Sequence, residues 1–253
     1  MKKINIIGNG KMALALAKSL SLDYELQVIG RDETKLKEFV SSLNNAKISL
    51  YDGEFSLQEG LTLVCVKPYA LAKISKYLKN KEIDTVLSIL AGTSISDIKK
   101  ELPTVKNGYF RLMPNIACEY NKSTNILTGE NRNEDIINIC KSFGNTVWVD
   151  SENELDIATA IAGSGPAFLA LIAEAIEDAG VNCGLKRVDS NLIAKSLFES
   201  FDALIKNKKP RNIIEEVTSP NGTTARGLKA LEVNNTRYSI MSSIIEAYNR
   251  TQE

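Results

Sequence analysis

The chain has 253 residues, with 31 basic and 31 acidic side chains, no histidine and four cysteines. Balanced charge argues against a long-range field for nucleic acid or an anionic membrane. The lack of histidine excludes a Ser-His-Asp triad, a Cys-His nucleophile pair and any histidine metal ligand. Cys65, Cys118, Cys140 and Cys183 are scattered without a CxxC pair, which suits reduced thiols in a cytoplasmic protein, and no metal is expected.

The apolar run at the start, MKKINII, is too short for a signal peptide and meets a glycine turn at once. Lys3–Ile7 is instead expected to be a strand. It leads into Gly8-Asn9-Gly10-Lys11-Met12-Ala13, the dinucleotide-binding pattern with alanine in the third small position. Gly8 would make the tight turn, and Gly10 would let backbone approach a pyrophosphate. Ala13 and Ala17 would seat the helix Lys11–Leu20 close to the sheet, its free N–H groups facing the phosphates. An ordinary glycine turn is the plainer alternative, but a preceding strand and a following βαβ pattern favour a nucleotide.

The second strand, Glu25–Ile29, ends at Gly30-Arg31-Asp32, where a residue that reads the ribose should sit. Arg31 suits the 2′-phosphate of NADP. Asp32 suits the 2′-hydroxyl of NAD, or caps the next helix, Asp32–Leu43. NADP(H) is favoured, and NAD(H) stays open.

Strands are further expected at Leu61–Val66, Asp84–Ile89, Gly108–Leu112 and Asn145–Val149, with a helix at Tyr69–Leu78 between the first two. Strand–helix alternation of this kind predicts a mostly parallel sheet covered on both faces. Ligands in such sheets lie beyond the carboxyl ends of the strands. Val66-Lys67-Pro68, Ala91-Gly92 and Asn115 therefore join the cofactor candidates. Each could also be a routine connection, and Lys67 could simply face solvent. Asn115 both donates and accepts, as a nicotinamide carboxamide requires. Cys65, in an apolar strand, reads as packing and not as a nucleophile.

Beyond Asp150 the apolar spacing is helical to the end, with breaks at Gly163–Pro166, Gly180–Gly184, Lys208–Pro210 and Ser219–Gly222. Two domains follow: an α/β Rossmann-like domain over residues 1–150 and an all-α domain over 151–253. The uncharged stretch between Asp156 and Glu174 falls short of a membrane span and is expected to form two buried helix segments. Helices apolar on nearly every side need more cover than about 100 residues supply, which predicts a homodimer or larger assembly through this domain. Gly163-Ser164-Gly165-Pro166 reads either as a helix break, capped by Ser164, or as pocket lining. Val217–Glu232, VTSPNGTTARGLKALE, puts more hydroxyls before one helix than a single cap needs.

Taken in order, GNGKMA, VCVKP, ILAGT, RLMPN, ATAIAGSGPAF and VTSPNGTTARGLKALE resemble the pyrroline-5-carboxylate reductase family over about residues 3–250. The early motifs are shared with the wider 6-phosphogluconate dehydrogenase-like group, whereas GSGPAF and TSPNGTT are more specific. The resemblance implies a Rossmann domain followed by a helical dimerisation domain. It also implies NAD(P)H-dependent reduction of the cyclic imine 1-pyrroline-5-carboxylate to L-proline. The family's substrate-carboxylate site matches Ser219, Gly222, Thr223 and Thr224, with Asn221 where a glycine is usual and Ser164 as an added pocket candidate. Thr224 matches its proposed proton donor. A relative's asparagine near the adenosine phosphate is replaced around Asp52 or Gly53, and Gly30 stands where asparagine or serine is common. Rival readings are another imine or 3-hydroxyacid oxidoreductase of the wider group, and a nucleotide-sensing protein without turnover.

Overall fold

The computed structural model describes residues 2–51 and 55–252; the adenosine-side expectation at Asp52 or Gly53 lies outside them. Eight strands form one sheet: β1 (Lys3–Ile7), β2 (Glu25–Gly30), β3 (Ala46–Leu50), β4 (Leu61–Val64), β5 (Thr85–Ser88), β6 (Tyr109–Met113), β7 (Ser123–Gly129) and β8 (Gly144–Trp148). Their spatial order is β3-β2-β1-β4-β5-β6-β7-β8, and every pairing is parallel except β6 with β7. The chain crosses over between β3 and β4, so β1 lies between β2 and β4 and the strand order reverses there.

Two of these strands depart from the sequence expectation. β3 is a half-exposed edge whose Ala46, Ile48 and Leu50 alternate with polar residues, but over only five positions with a single β-branched side chain. β7 is buried but polar, with Asn125 fully enclosed and bonded to the Cys140 carbonyl (2.9 Å). The Asn125 amide nitrogen is hydrogen-bonded while its Oδ1 has no partner among the described residues, and polar residues of this kind erase the apolar signature.

Apolar side chains cover both faces of the sheet. On one, Ile4, Ile6, Leu26 and Val28 pack with Ala13, Leu16 and Leu20 of helix α1 (Lys11–Leu20) and with Leu36 of α2 (Glu33–Val40). On the other, Ile7, Ile29, Val64 and Val86 pack with Leu71, Ile74 and Leu78 of α3 (Leu71–Leu78) and Ile98 of α4 (Ile95–Glu101). Helix α5 (Glu134–Lys141) adds Ile136, Ile137 and Ile139 to the first face. Asp32 caps α2 by accepting from the Lys35 N–H (3.1 Å), so this helix begins one residue later than expected and ends at Val40.

The chain divides into two compact units, residues 1–163 with 248–253, and residues 164–247. The break between compact units falls at Gly163, beyond the expected domain boundary at Asp150, because α6 (Glu152–Ala162) is bound to the sheet. The buried Arg111 of β6 pairs with Glu152 (2.8 Å) and Asp156 (3.2 Å), and Glu152 also accepts from the Ile95 N–H (2.9 Å). Tyr248 donates to Asn153 (2.8 Å), which holds the last residues to the same unit.

The second unit is helical: α7 (Gly165–Asn182), α8 (Arg187–Asn207), α9 (Pro210–Val217), α10 (Thr223–Val233) and most of α11 (Thr236–Asn249). Among the described residues these helices bury almost nothing; only Ser190 and Ala194 of α8 are enclosed. Leu169, Leu171, Val188, Leu192 and Met241 are more than half exposed. The expectation of buried segments therefore fails for one chain. The run Glu152–Asn182 is also long and apolar enough, by length and composition alone, to cross a membrane, contrary to the sequence estimate.

Removing one member of a buried ion pair leaves the other charge poorly compensated. Arg111→Met should lower the unfolding free energy by about 3 kcal/mol, at the low end of the range for such losses because both carboxylates keep some solvent. Chemical denaturation measures this, and a change below about 1 kcal/mol would mean the pair is dispensable.

Candidate active site

The parallel pairing brings the carboxyl ends of β2, β1, β4, β5 and β6 to one edge. On that edge lie Gly8–Met12, Arg31, Val66–Pro68, Ala91–Gly92 and Asn115, the whole set of cofactor candidates.

Gly8 has φ +112°, and a Cβ there would stand 2.7 Å from the Cys65 carbonyl oxygen. Any side chain would be strained and would collide with the neighbouring strand end. Gly10 differs: a Cβ there would meet nothing within 4 Å, so the space before it is open. It is the N-cap of α1 with no side-chain acceptor, and its carbonyl takes the Leu14 N–H (3.0 Å). The first N–H groups of α1 therefore lack a side-chain cap at an open, glycine-bared helix start, the surroundings that suit a diphosphate. Asn9 and Lys11 are exposed and Met12 is half-buried.

Arg31 is exposed one residue beyond β2. Gly30 is closely packed: a Cβ there would lie 3.0 Å from a Leu36 methyl, which would have to give way slightly. Sequence reasoning missed Tyr51, which follows β3 and donates its backbone N–H to the Gly30 carbonyl (3.0 Å). Its ring stacks on Tyr77 (centroids 5.4 Å apart) and meets Phe55 edge-on. Its hydroxyl is buried without a hydrogen-bond partner among the described residues, and burial raises its pKa against the opposing charge of Arg31. Recognising Ala46–Leu50 as a strand would have placed this residue at the same edge as Arg31.

Lys67 and Pro68 are exposed, at the start of a 3-10 turn over Pro68–Ala70. Ala91 and Gly92 are exposed too; Gly92 has φ +65° with open space before it. Asn115 is unlike the others. It is 8% exposed, its Oδ1 accepts from the Ala117 N–H (3.1 Å), and its Nδ2 donates to the Ala162 carbonyl (3.0 Å). Each end of the amide already has one partner within the chain, which leaves one N–H and one lone pair for any further contact. Burial pushes the Cys65 thiol far above its ordinary range, which suits packing and not nucleophilic attack. Among the described residues no three His, Cys, Asp or Glu side chains converge as a metal site would require.

The substrate candidates lie in the second unit. Ser219 to Gly222 form a turn in which the Gly222 N–H donates to the Ser219 carbonyl (3.1 Å). Asn221 takes the left-handed conformation at φ +57°, which asparagine tolerates better than other side chains. A Cβ on Gly222 would come within 2.4 Å of the Ser219 hydroxyl. Gly222 is the N-cap of α10, and no side chain caps that helix. Neither Thr218 nor Ser219 caps it; Thr218 donates to the Ile214 carbonyl (2.6 Å), closing α9. Thr223 and Thr224 are the first two residues of α10, Thr224 half-buried. Ser164 precedes α7 without capping it, its carbonyl taking the Ala167 N–H (3.0 Å).

Residues 152–253 match a family model described as pyrroline-5-carboxylate reductase dimerisation, and residues 3–92 match one described as NADP oxidoreductase, coenzyme F420-dependent. Pyrroline-5-carboxylate reductase of Helicobacter pylori strain J99 is 31% identical, with 98% of each chain covered. The reductase of Coxiella burnetii has a solved structure similar to this chain at TM-score 0.84, with 27% identity over 98% of this chain and 97% of that one. The Plasmodium falciparum enzyme, solved with NADP bound, is similar at TM-score 0.80, with 26% identity over 99% and 97%. With a full-length match of this kind, a dimerisation region in the helical half and a glycine-bared turn at the sheet's reversal point, this chain belongs to the pyrroline-5-carboxylate reductase family.

Proposed function

We propose that this protein reduces 1-pyrroline-5-carboxylate to L-proline, the last step of proline synthesis, as a soluble cytoplasmic homodimer that uses NADPH in preference to NADH. The observation that carries the reading is the full-length similarity to reductases of this name, with GNGKMA and TSPNGTT both intact and in order. Arg31 beyond β2 supports NADPH, because a guanidinium complements a 2′-phosphate. The exposed apolar faces of α7, α8 and α11 support a second copy as their cover, in keeping with the dimerisation match.

The nicotinamide cofactor supplies the hydride, which goes to the imine carbon. The chain's share is positioning and charge. N–H groups at the start of α1 hold the diphosphate, with Gly8 and Gly10 giving access and Val66–Pro68 and Ala91–Gly92 lining the same edge. The start of α10 binds the substrate carboxylate through its free N–H groups, aided by Ser219, Asn221, Gly222 and Thr223, with Ser164 as a further contact. Thr224 orients the imine nitrogen and relays a proton to it. A protonated imine is already electrophilic, so a weakly acidic hydroxyl suffices and a chain without histidine is equal to the task.

The purified protein should oxidise NADPH faster than NADH, and only when pyrroline-5-carboxylate is present. Thr224→Val should lower turnover by between about one and four powers of ten. Unchanged turnover and substrate affinity in the variant would remove Thr224 from the mechanism, and no pyrroline-dependent oxidation with either cofactor would defeat the whole reading. Sedimentation in dilute solution should give at least twice the mass of one chain; a monomer throughout would reject the assembly.

A further inference from the structure

Asn115 is buried at the carboxyl end of β6, and its hydrogen bonds join three parts of the first unit. Its backbone N–H donates to the Ser123 hydroxyl at the start of β7 (2.9 Å). Its side-chain oxygen caps the 3-10 turn Ile116–Tyr120 through the Ala117 N–H. Its side-chain nitrogen donates to the carbonyl of Ala162, the last residue of α6.

That third bond has a specific chemical reason. In a continuing helix the Ala162 carbonyl would accept from the N–H four residues on, but that residue is Pro166, which has none. The proline that starts α7 thus leaves the last carbonyl of α6 without its helical partner, and Asn115 supplies the missing donor from the sheet. The compact unit ends at the next residue, Gly163, and Ser164 follows. The preceding turn of α6 is held separately, by Gly163 N–H to the Thr159 carbonyl (2.8 Å).

We propose that Asn115 is a positioning residue: it clamps the end of α6 to the strand edge that carries the cofactor candidates, and so sets where the Gly163–Pro166 break leaves the sheet. It acts on turnover through the placement of that break and not by touching the cofactor. This rests on the reading that Ser164 and the helical residues bind substrate.

Asn115→Ser separates the two side-chain jobs, because serine keeps an oxygen for the Ala117 N–H but has no donor long enough for Ala162. Turnover at saturating NADPH should fall about 10- to 100-fold, as small misplacements do. The dissociation constant for NADPH, from calorimetric titration, should stay within about twofold, and amide exchange should speed up at Gly163 and Ala167 but not in β1 or β4. Loss of NADPH affinity in proportion to turnover would overturn the proposal in favour of a direct cofactor contact, and unchanged turnover would overturn it outright. If Asn115→Ser does not fold, Asn115→Asp keeps an oxygen for the Ala117 N–H and likewise removes the donor to Ala162. Faster exchange at Gly163 with lowered turnover then supports the proposal, and full turnover with that exchange contradicts it. Should the wild type itself lack pyrroline-dependent turnover, the functional reading fails instead, and the exchange pattern alone decides the clamp.

Discussion

Parallel pairing of β1 with β2 on one side and β4 on the other is the constraint on which the functional edge depends. Parallel strands deliver all their carboxyl ends to one side, and the reversal of order at β1 leaves a gap there that no crossover helix fills. Gly8 meets that geometry at its tightest point, turning at a positive φ against the Cys65 carbonyl. Gly10, two residues on, keeps the space before α1 empty. The two glycines do different work: one is forced by the backbone of the neighbouring strand, the other by what must approach from outside.

The helical half obeys the opposite logic. Its helices are apolar on more faces than they cover, and α7, α9, α10 and α11 enclose no residue of their own among those described. Hydrophobic surface on this scale marks an interface. The stability of this part therefore belongs to an assembly, and the turn at Ser219–Gly222 is carried on elements that a single chain does not fully support.

Much of this was legible in the sequence. Six strands, the glycine turn and the helical breaks followed from apolar spacing and turn residues, because local propensity and tertiary packing agree there. β3 escaped because its alternation is confined to five residues at an exposed edge, and β7 because a buried polar strand carries no alternating apolar signal. The attachment of α6 to the sheet was not legible because the salt bridges from Arg111 are long-range facts: Glu152 and Asp156 look like ordinary helix-surface acids until a buried guanidinium is found opposite them. Asn115 and the hydroxyls before α10 show the same limit from the functional side. Residue type said what each could bond, but only the fold says which partner it has: Ala162 for Asn115, and Ile214 for Thr218, with Gly222 left to begin α10 uncapped.

The central claim is hydride delivery to the imine carbon of 1-pyrroline-5-carboxylate, and isotope transfer tests it most directly. NADPH carrying deuterium at the transferable position of the nicotinamide would be incubated with the imine and the protein, and the product analysed by chiral chromatography and mass spectrometry. L-proline with a single deuterium at C5 is the expected product. Unlabelled proline, or no proline while the cofactor is consumed, would contradict the account.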